Sequence, residues 1–250
     1  MRVKAVVAYD GTGYGGFQRQ KNAPSIQEEL ECALEQLTGA PGRVLAAGRT
    51  DAGVHAEGQV IACDVTWRHP LNDLLRGLNA LLPQQIAVLQ LAEVAPTFHP
   101  RYAASRRWYR YTLYRDAVRN PLVARFSLHV ARPLDVEAMR CAASMLVGRQ
   151  DFAAFGSPTV GENTVREVFR ATWTEQEKWL YFDIEADAFL YRMVRMIVGT
   201  LLRVGEGILS PDDFGDILRT RERRRAGPAV AAHGLCLKAV FYADETGTPV

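Results

Sequence analysis

Val44-Leu45-Ala46-Ala47-Gly48-Arg49-Thr50-Asp51-Ala52-Gly53-Val54-His55-Ala56 is a short apolar run broken by two glycines, and a second apolar run follows at residues 59–65. The first run reads as a buried strand, and the glycines bend the chain where it stops. Two strands therefore follow one another with only a turn between them. Upstream, residues 3–9 alternate as a strand, with Val3, Ala5, Val7 and Tyr9 on one face. Pro24, Ser25 and Glu28 form a capping box ahead of Ile26, Leu30, Ala33, Leu34 and Leu37, and Gly39 ends that helix. Downstream come a leucine-rich helix over residues 71–82 and a strand over 86–94. The order β, α, β, β, α, β is the split βαβ pattern of ferredoxin-like, or RRM-like, domains.

The second half repeats that order without repeating residue identities. Residues 108–114 read as a strand and 135–147 as a helix; 165–174 and 179–186 pair around the turn Glu175-Gln176-Glu177-Lys178. A helix over 189–204 and, after an insertion near Pro211, a strand over 235–242 complete it. The expected fold class is α+β: two ferredoxin-like halves, residues 1–105 and 106–250, whose mainly antiparallel sheets join with helices on one side and a central cleft. Gly11-Thr12-Gly13-Tyr14-Gly15-Gly16 carries the letters of a dinucleotide fingerprint, but its helix starts only after Pro24, too late to seat a pyrophosphate. A loop near a substrate fits it better.

With 250 residues, nearly half of them apolar, the chain can bury a sizeable core. A net charge of +2 excludes a uniformly basic coat, so any polyanion site must be a local patch. The 4 cysteines, Cys32, Cys63, Cys141 and Cys236, lack a metal-type Cys-x-x-Cys pair and read as reduced core thiols. No apolar run approaches the roughly 18 residues of a membrane span, and the chain opens directly into a strand, so a soluble, cytoplasmic protein is expected.

The patch lies at residues 99–125, where Arg101, Arg106, Arg107, Arg110, Arg115, Arg119 and Arg125 face a single acid, Asp116. Within it, Arg106-Arg107-Trp108-Tyr109-Arg110-Tyr111 interleaves cations and aromatics, the composition that tracks phosphates and stacks bases. Alternation puts Arg107, Tyr109 and Tyr111 on one face and Trp108 and Arg110 on the other. An edge strand guarded by charges is the competing reading. Arg219–Arg225 is a second basic cluster, as readily a solvated helix end. On a helical wheel Arg192, Arg195 and Arg203 gather on one solvated stripe opposite Leu190, Val194, Ile197 and Leu201.

Asp51 is the candidate catalytic group. If the chain is extended there, Arg49 and Asp51 share a face, and a cation beside a carboxylate favours the charged form that serves as nucleophile or base. A surface ion pair on an Asx turn is the plain alternative. His55 is a lone imidazole and reads as a turn-stabilising residue.

Three stretches together carry a resemblance: Val7-Ala8-Tyr9-Asp10-Gly11-Thr12 through Gly16-Phe17-Gln18-Arg19-Gln20; Gly48-Arg49-Thr50-Asp51-Ala52-Gly53-Val54-His55-Ala56; and Phe189-Leu190-Tyr191-Arg192-Met193-Val194-Arg195 with Gly199 and Val204-Gly205. In order and spacing they resemble the signatures of the TruA family of tRNA pseudouridine synthases. The resemblance implies an isomerase that converts uridine to pseudouridine at positions 38 to 40 of the tRNA anticodon stem-loop, as a homodimer, without metal or organic cofactor. It implies that Asp51 is the catalytic aspartate, that Arg49 helps displace the target base, that Tyr109 stacks on the uracil, and that Arg195 reaches the aspartate from the second half. Arg101, Arg106, Arg107 and Arg110 are the expected substrate-binding arginines. Breaking the N1 to C1' bond and rejoining the uracil through C5 needs one carboxylate, an aromatic wall and exclusion of water from a flipped base. Two rivals remain: a non-catalytic RNA-binding protein, and a nucleoside hydrolase using a second carboxylate such as Glu57 or Asp10.

Overall fold

The computed structural model describes residues 1–159 and 161–243. The chain divides into two compact units, Met1–Ser105 with Cys236 and the strand residues that follow it, and Arg106–Leu235.

The first unit contains β1 (Arg2–Tyr9), α1 (Ile26–Thr38), β2 (Leu45–Ala46), β3 (His55–Asp64), α2 (Leu71–Leu81) and β4 (Ile86–Val94). β1 lies between β3 and β4 and is antiparallel to both, and β2 is antiparallel to β3 at Leu45↔Ala62 and Ala46↔Ile61. The strand order β4-β1-β3-β2 is that of a ferredoxin-like sheet, as the element order predicts. The last strand, β10 (Leu235–Tyr242), joins the same edge of β3 in parallel, at Cys236↔His55 and Leu237↔Ala56. One edge of β3 is thus shared between β2 and β10.

Ser25 caps α1 by accepting from the Glu28 N–H, and Gly39 ends it in the left-handed region, as the capping box and glycine imply. Ile26, Leu30 and Leu34 of α1 and Leu74 and Leu78 of α2 supply the buried helix faces, and α2 packs against β4. The Asn79 side chain binds both the carbonyl and the N–H of Val88, each at 2.8 Å, and so satisfies backbone groups of β4.

The second unit contains most of β5 (Ala104–Arg115), then β6 (Leu128–Val130), α3 (Val136–Ser144), β7 (Gly148–Asp151), β8 (Val165–Gln176), β9 (Trp179–Ala186), α4 (Met193–Gly205) and α5 (Pro211–Thr220). Its strand order is β5-β9-β8-β7, antiparallel throughout, with β6 added to β5 in parallel. Tyr111, Leu113, Phe152, Phe155, Phe182 and Phe214 form its buried centre. Phe155 and Phe214 stack at 5.5 Å.

Three elements were not legible as such. β6 and β7 are too short to show a period, and α5 was read as an insertion although Ser210, Pro211 and Asp213 make a full capping box. α4 starts four residues later than the apolar pattern suggests, because Arg192 precedes it in the left-handed region at φ 62°. The cysteines differ from expectation too: Cys63 is buried, its thiol pushed up to about 12 by desolvation, whereas Cys32 and Cys141 lie exposed on helices. Among the described residues, no helix is long and apolar enough to cross a membrane.

Candidate active site

Asp51 sits, half-buried, on the turn between β2 and β3. The turn closes through a Val54 N–H donated to the Asp51 carbonyl at 3.1 Å, with Gly53 at φ 75°. Arg49 is exposed and forms no ion pair with Asp51. β2 ends at Ala46 and the chain bends at Ala47 and Gly48, so Arg49, Thr50 and Asp51 lie beyond the regular strand. Thr50, between an exposed Arg49 and a half-buried Asp51, is 7% exposed, the burial order expected if it points away from both.

Neighbouring backbone clamps this turn from several sides. Phe17 donates its N–H to the Thr50 carbonyl at 3.1 Å. The Tyr9 hydroxyl lies 2.8 Å from Thr50 Oγ1, and the Gln59 side-chain amide donates to the Gly48 carbonyl at 2.9 Å. Gly11 packs so closely that a Cβ there would stand 2.1 Å from the Val54 carbonyl oxygen, so only glycine fits. Its N–H donates to His55 Nδ1 at 3.0 Å, making that nitrogen an acceptor, while Asp10 Oδ1, 3.1 Å from the same nitrogen, takes the Thr12 N–H at 2.9 Å. His55, 5% exposed, is therefore a turn-holding residue. The glycine loop at residues 11–16 is a wall of the aspartate turn.

In the second unit Tyr109 is 8% exposed, and the Phe189 ring meets it edge-on at 5.0 Å. Alternation along β5 holds: Arg107, Tyr109 and Tyr111 are buried, Trp108 and Arg110 half-buried. The arginines expected to meet phosphate are engaged at home. Arg110 forks onto Asp183 with both contacts at 2.9 Å, and the Trp108 indole donates to the same carboxylate at 2.6 Å. Arg106 pairs with Glu185 at 3.3 Å, Arg115 with Glu175 at 2.8 Å, and Arg107 donates to the Asp187 carbonyl at 2.5 Å. Arg101, in the first unit, is exposed beside the outlying ring of Tyr102, and Arg119 and Arg125 are exposed in the second. Asp183 was missed by sequence reading; its only signal was a charge set among Leu180, Phe182 and Ile184.

Arg195 departs from its wheel position. It is half-buried, with Nε donating to the Val230 carbonyl at 2.7 Å, because the segment 227–230 lies against α4. A Cβ on Gly199 would stand 1.9 Å from the Pro228 carbonyl oxygen, and the Gly227 N–H donates to Thr200 Oγ1 at 2.8 Å. The expected result for Gly199→Ala is destabilisation by about 1–3 kcal/mol, as overpacking displaces this segment. A urea titration checks it, and an unchanged midpoint would show that the segment yields freely. In the second basic cluster Arg219, Arg221 and Arg225 pair with Asp216, Asp151 and Asp213, so most of it staples the unit.

The first unit thus carries an acid on a clamped turn, and the second a tyrosine flanked by Phe189 on a strand that also bears arginines. A sequence profile described as tRNA pseudouridine synthase matches residues 5–103 and 142–243. The chain belongs to the TruA family of tRNA pseudouridine synthases, which are isomerases. The tRNA pseudouridine synthase A of Syntrophotalea carbinolica is 46% identical over 244 residues, covering 97% of this chain and 97% of that protein. That of Moorella thermoacetica is 46% identical over 245 residues, covering 96% of this chain and 99% of that one.

Proposed function

We propose that the protein isomerises uridine to pseudouridine at positions 38 to 40 of the tRNA anticodon stem-loop, with Asp51 as the group that starts the reaction on a flipped-out base. The observation that supports it best is the Asp51 turn, a half-buried acid held by buried hydrogen bonds inside a family-matching stretch. Asp51 attacks the base or the sugar, or removes a sugar proton; each route needs one carboxylate and no net redox change. Arg49, exposed and without an acid partner among the described residues, displaces the target base. Tyr109 walls the uracil with a ring already fixed by Phe189. Arg195 carries a positive charge toward the reacting acid. The enzyme works as a cytoplasmic homodimer without metal or organic cofactor.

Phosphate contact falls to arginines of the patch, of which Arg101, Arg119 and Arg125 are exposed, while Arg106 and Arg110 pair with Glu185 and Asp183. The test of the whole reading is tritium release from tRNA carrying 5-tritiated uridine, with mass mapping of the product. Release with pseudouridine at 38 to 40 is expected. Binding without release would favour a non-catalytic RNA-binding protein, and free uracil a hydrolase.

Tyr109→Phe separates stacking from proton transfer. The ring is retained and the hydroxyl lost, so kcat should fall by about 10²-fold or more if the phenol accepts the C5 proton. Unchanged turnover would leave Tyr109 a wall alone.

A further inference from the structure

We infer that Tyr9 and Gln59 are positioning residues for isomerisation, which hold the backbone on both sides of Arg49 and thereby set where Asp51 meets the uridine. The inference rests on Asp51 being the reacting acid. Gln59 is fully buried in the middle of β3, opposite Val7 of β1. Its amide nitrogen has two hydrogens. One goes to the Gly48 carbonyl at 2.9 Å, the other to the Tyr9 oxygen at 3.4 Å. The Tyr9 oxygen also shares a hydrogen bond with Thr50 Oγ1, 2.8 Å away, in which either hydroxyl can be the donor. Burial pushes the Tyr9 phenol up, so the hydroxyl keeps its proton throughout the neutral range. Residue 48 is thus fixed through its carbonyl and residue 50 through its side chain, both from side chains rooted in paired strands. A turn tied in this way to a sheet holds a reacting group more closely than a loop does unaided.

Neither polar group serves the core. Gln59 Oε1 is buried without a hydrogen-bond partner among the described residues, a defect that a leucine of similar size would not carry. The Tyr9 ring, 4% exposed and 6.1 Å from Phe17, would pack equally well as phenylalanine. Two polar side chains sit where apolar ones would suit stability, and what they bind is the segment leading to Asp51.

The experiment measures kcat and KM by tritium release, with thermal melting, on the full chain. Gln59→Leu should lower kcat by about 10- to 100-fold, since a small misplacement of a reacting group has that effect, with KM changed by less than about twofold. Its melting temperature should change little, since removal of the unpartnered Oε1 offsets the loss of the donor to the Gly48 carbonyl. A merely structural role would lower the melting temperature and leave kcat per folded molecule intact. Tyr9→Phe should lower kcat in the same way, Thr50→Val likewise, and the two together no further than Tyr9→Phe alone, because the bond lost in Thr50→Val is already lost in Tyr9→Phe. Thr50→Ser, which keeps the hydroxyl, should retain activity. If Gln59→Leu does not fold, the Tyr9 and Thr50 pair decides. Unaltered kcat in Tyr9→Phe while Asp51→Asn is inactive overturns this inference alone; an active Asp51→Asn overturns the catalytic reading beneath it.

Discussion

Asp51→Asn is expected to lower isomerisation by on the order of 10⁴-fold or more, as removal of a reacting group does, while tRNA affinity stays within about twofold. The replacement is isosteric, and the turn is closed by the Asp51 backbone carbonyl, which asparagine keeps. Thr50, Phe17 and Gly11 continue to clamp the turn. The loss is therefore chemical, and the turn should remain closed. The nearby acids offer no substitute. Asp10 Oδ1 accepts the Thr12 N–H at 2.9 Å and faces His55, and Glu57 is paired with Lys238. Those same engagements argue against the two-carboxylate hydrolase, which needs one of them free beside Asp51. Filter binding and tritium release on one preparation check both halves of the expectation. Residual activity near the unaltered level would remove Asp51 from the mechanism.

Asp183→Ala should destabilise the second unit by about 2–4 kcal/mol, near the lower end for breaking a pair inside a protein, because Arg110 keeps some solvent. Asp183 is 3% exposed and gathers the Arg110 fork and the Trp108 indole. Without it, a guanidinium held over the Trp108 and Tyr181 rings at 5.6 and 4.8 Å loses its counter-charge. The midpoint in urea should fall with an unchanged slope, which marks lost stability and not a changed unfolded state. Replacing Asp183 and Arg110 together by apolar residues should recover most of the loss. A shift below about 0.5 kcal/mol would mean that the pair is solvated and dispensable.

The fold was legible because hydrophobic period and caps are local. Ser25, Glu28 and Gly39 delimit α1, and the limits of β4, β9 and β10 follow from alternation and flanking turns. The aspartate turn was legible as a turn, but the lack of an Arg49–Asp51 ion pair was not, since lying on one side of the chain does not by itself bring two side chains into contact. Charge was the least legible property. Arg115, Arg110, Arg106 and Arg107 look unopposed in sequence, yet their partners lie 60, 73, 79 and 80 residues further along and reach them only through strand pairing or the adjoining loop. The wheel likewise read Arg195 as solvated because a segment 35 residues away covers it. Gln59 and Tyr9 passed as ordinary strand residues, and only the folded register shows that they address the same three-residue stretch.

The edge of β3 shared by β2 and β10 bears on how the protein is made. Cys236 and Leu237 lie alongside His55 and Ala56, immediately after the aspartate turn. During synthesis the first hundred residues emerge long before their partner strand, with part of a sheet edge open to unintended pairing. A chain cut short before residues near 237 arrive should therefore keep the turn's own hydrogen bonds but be prone to self-association along that edge.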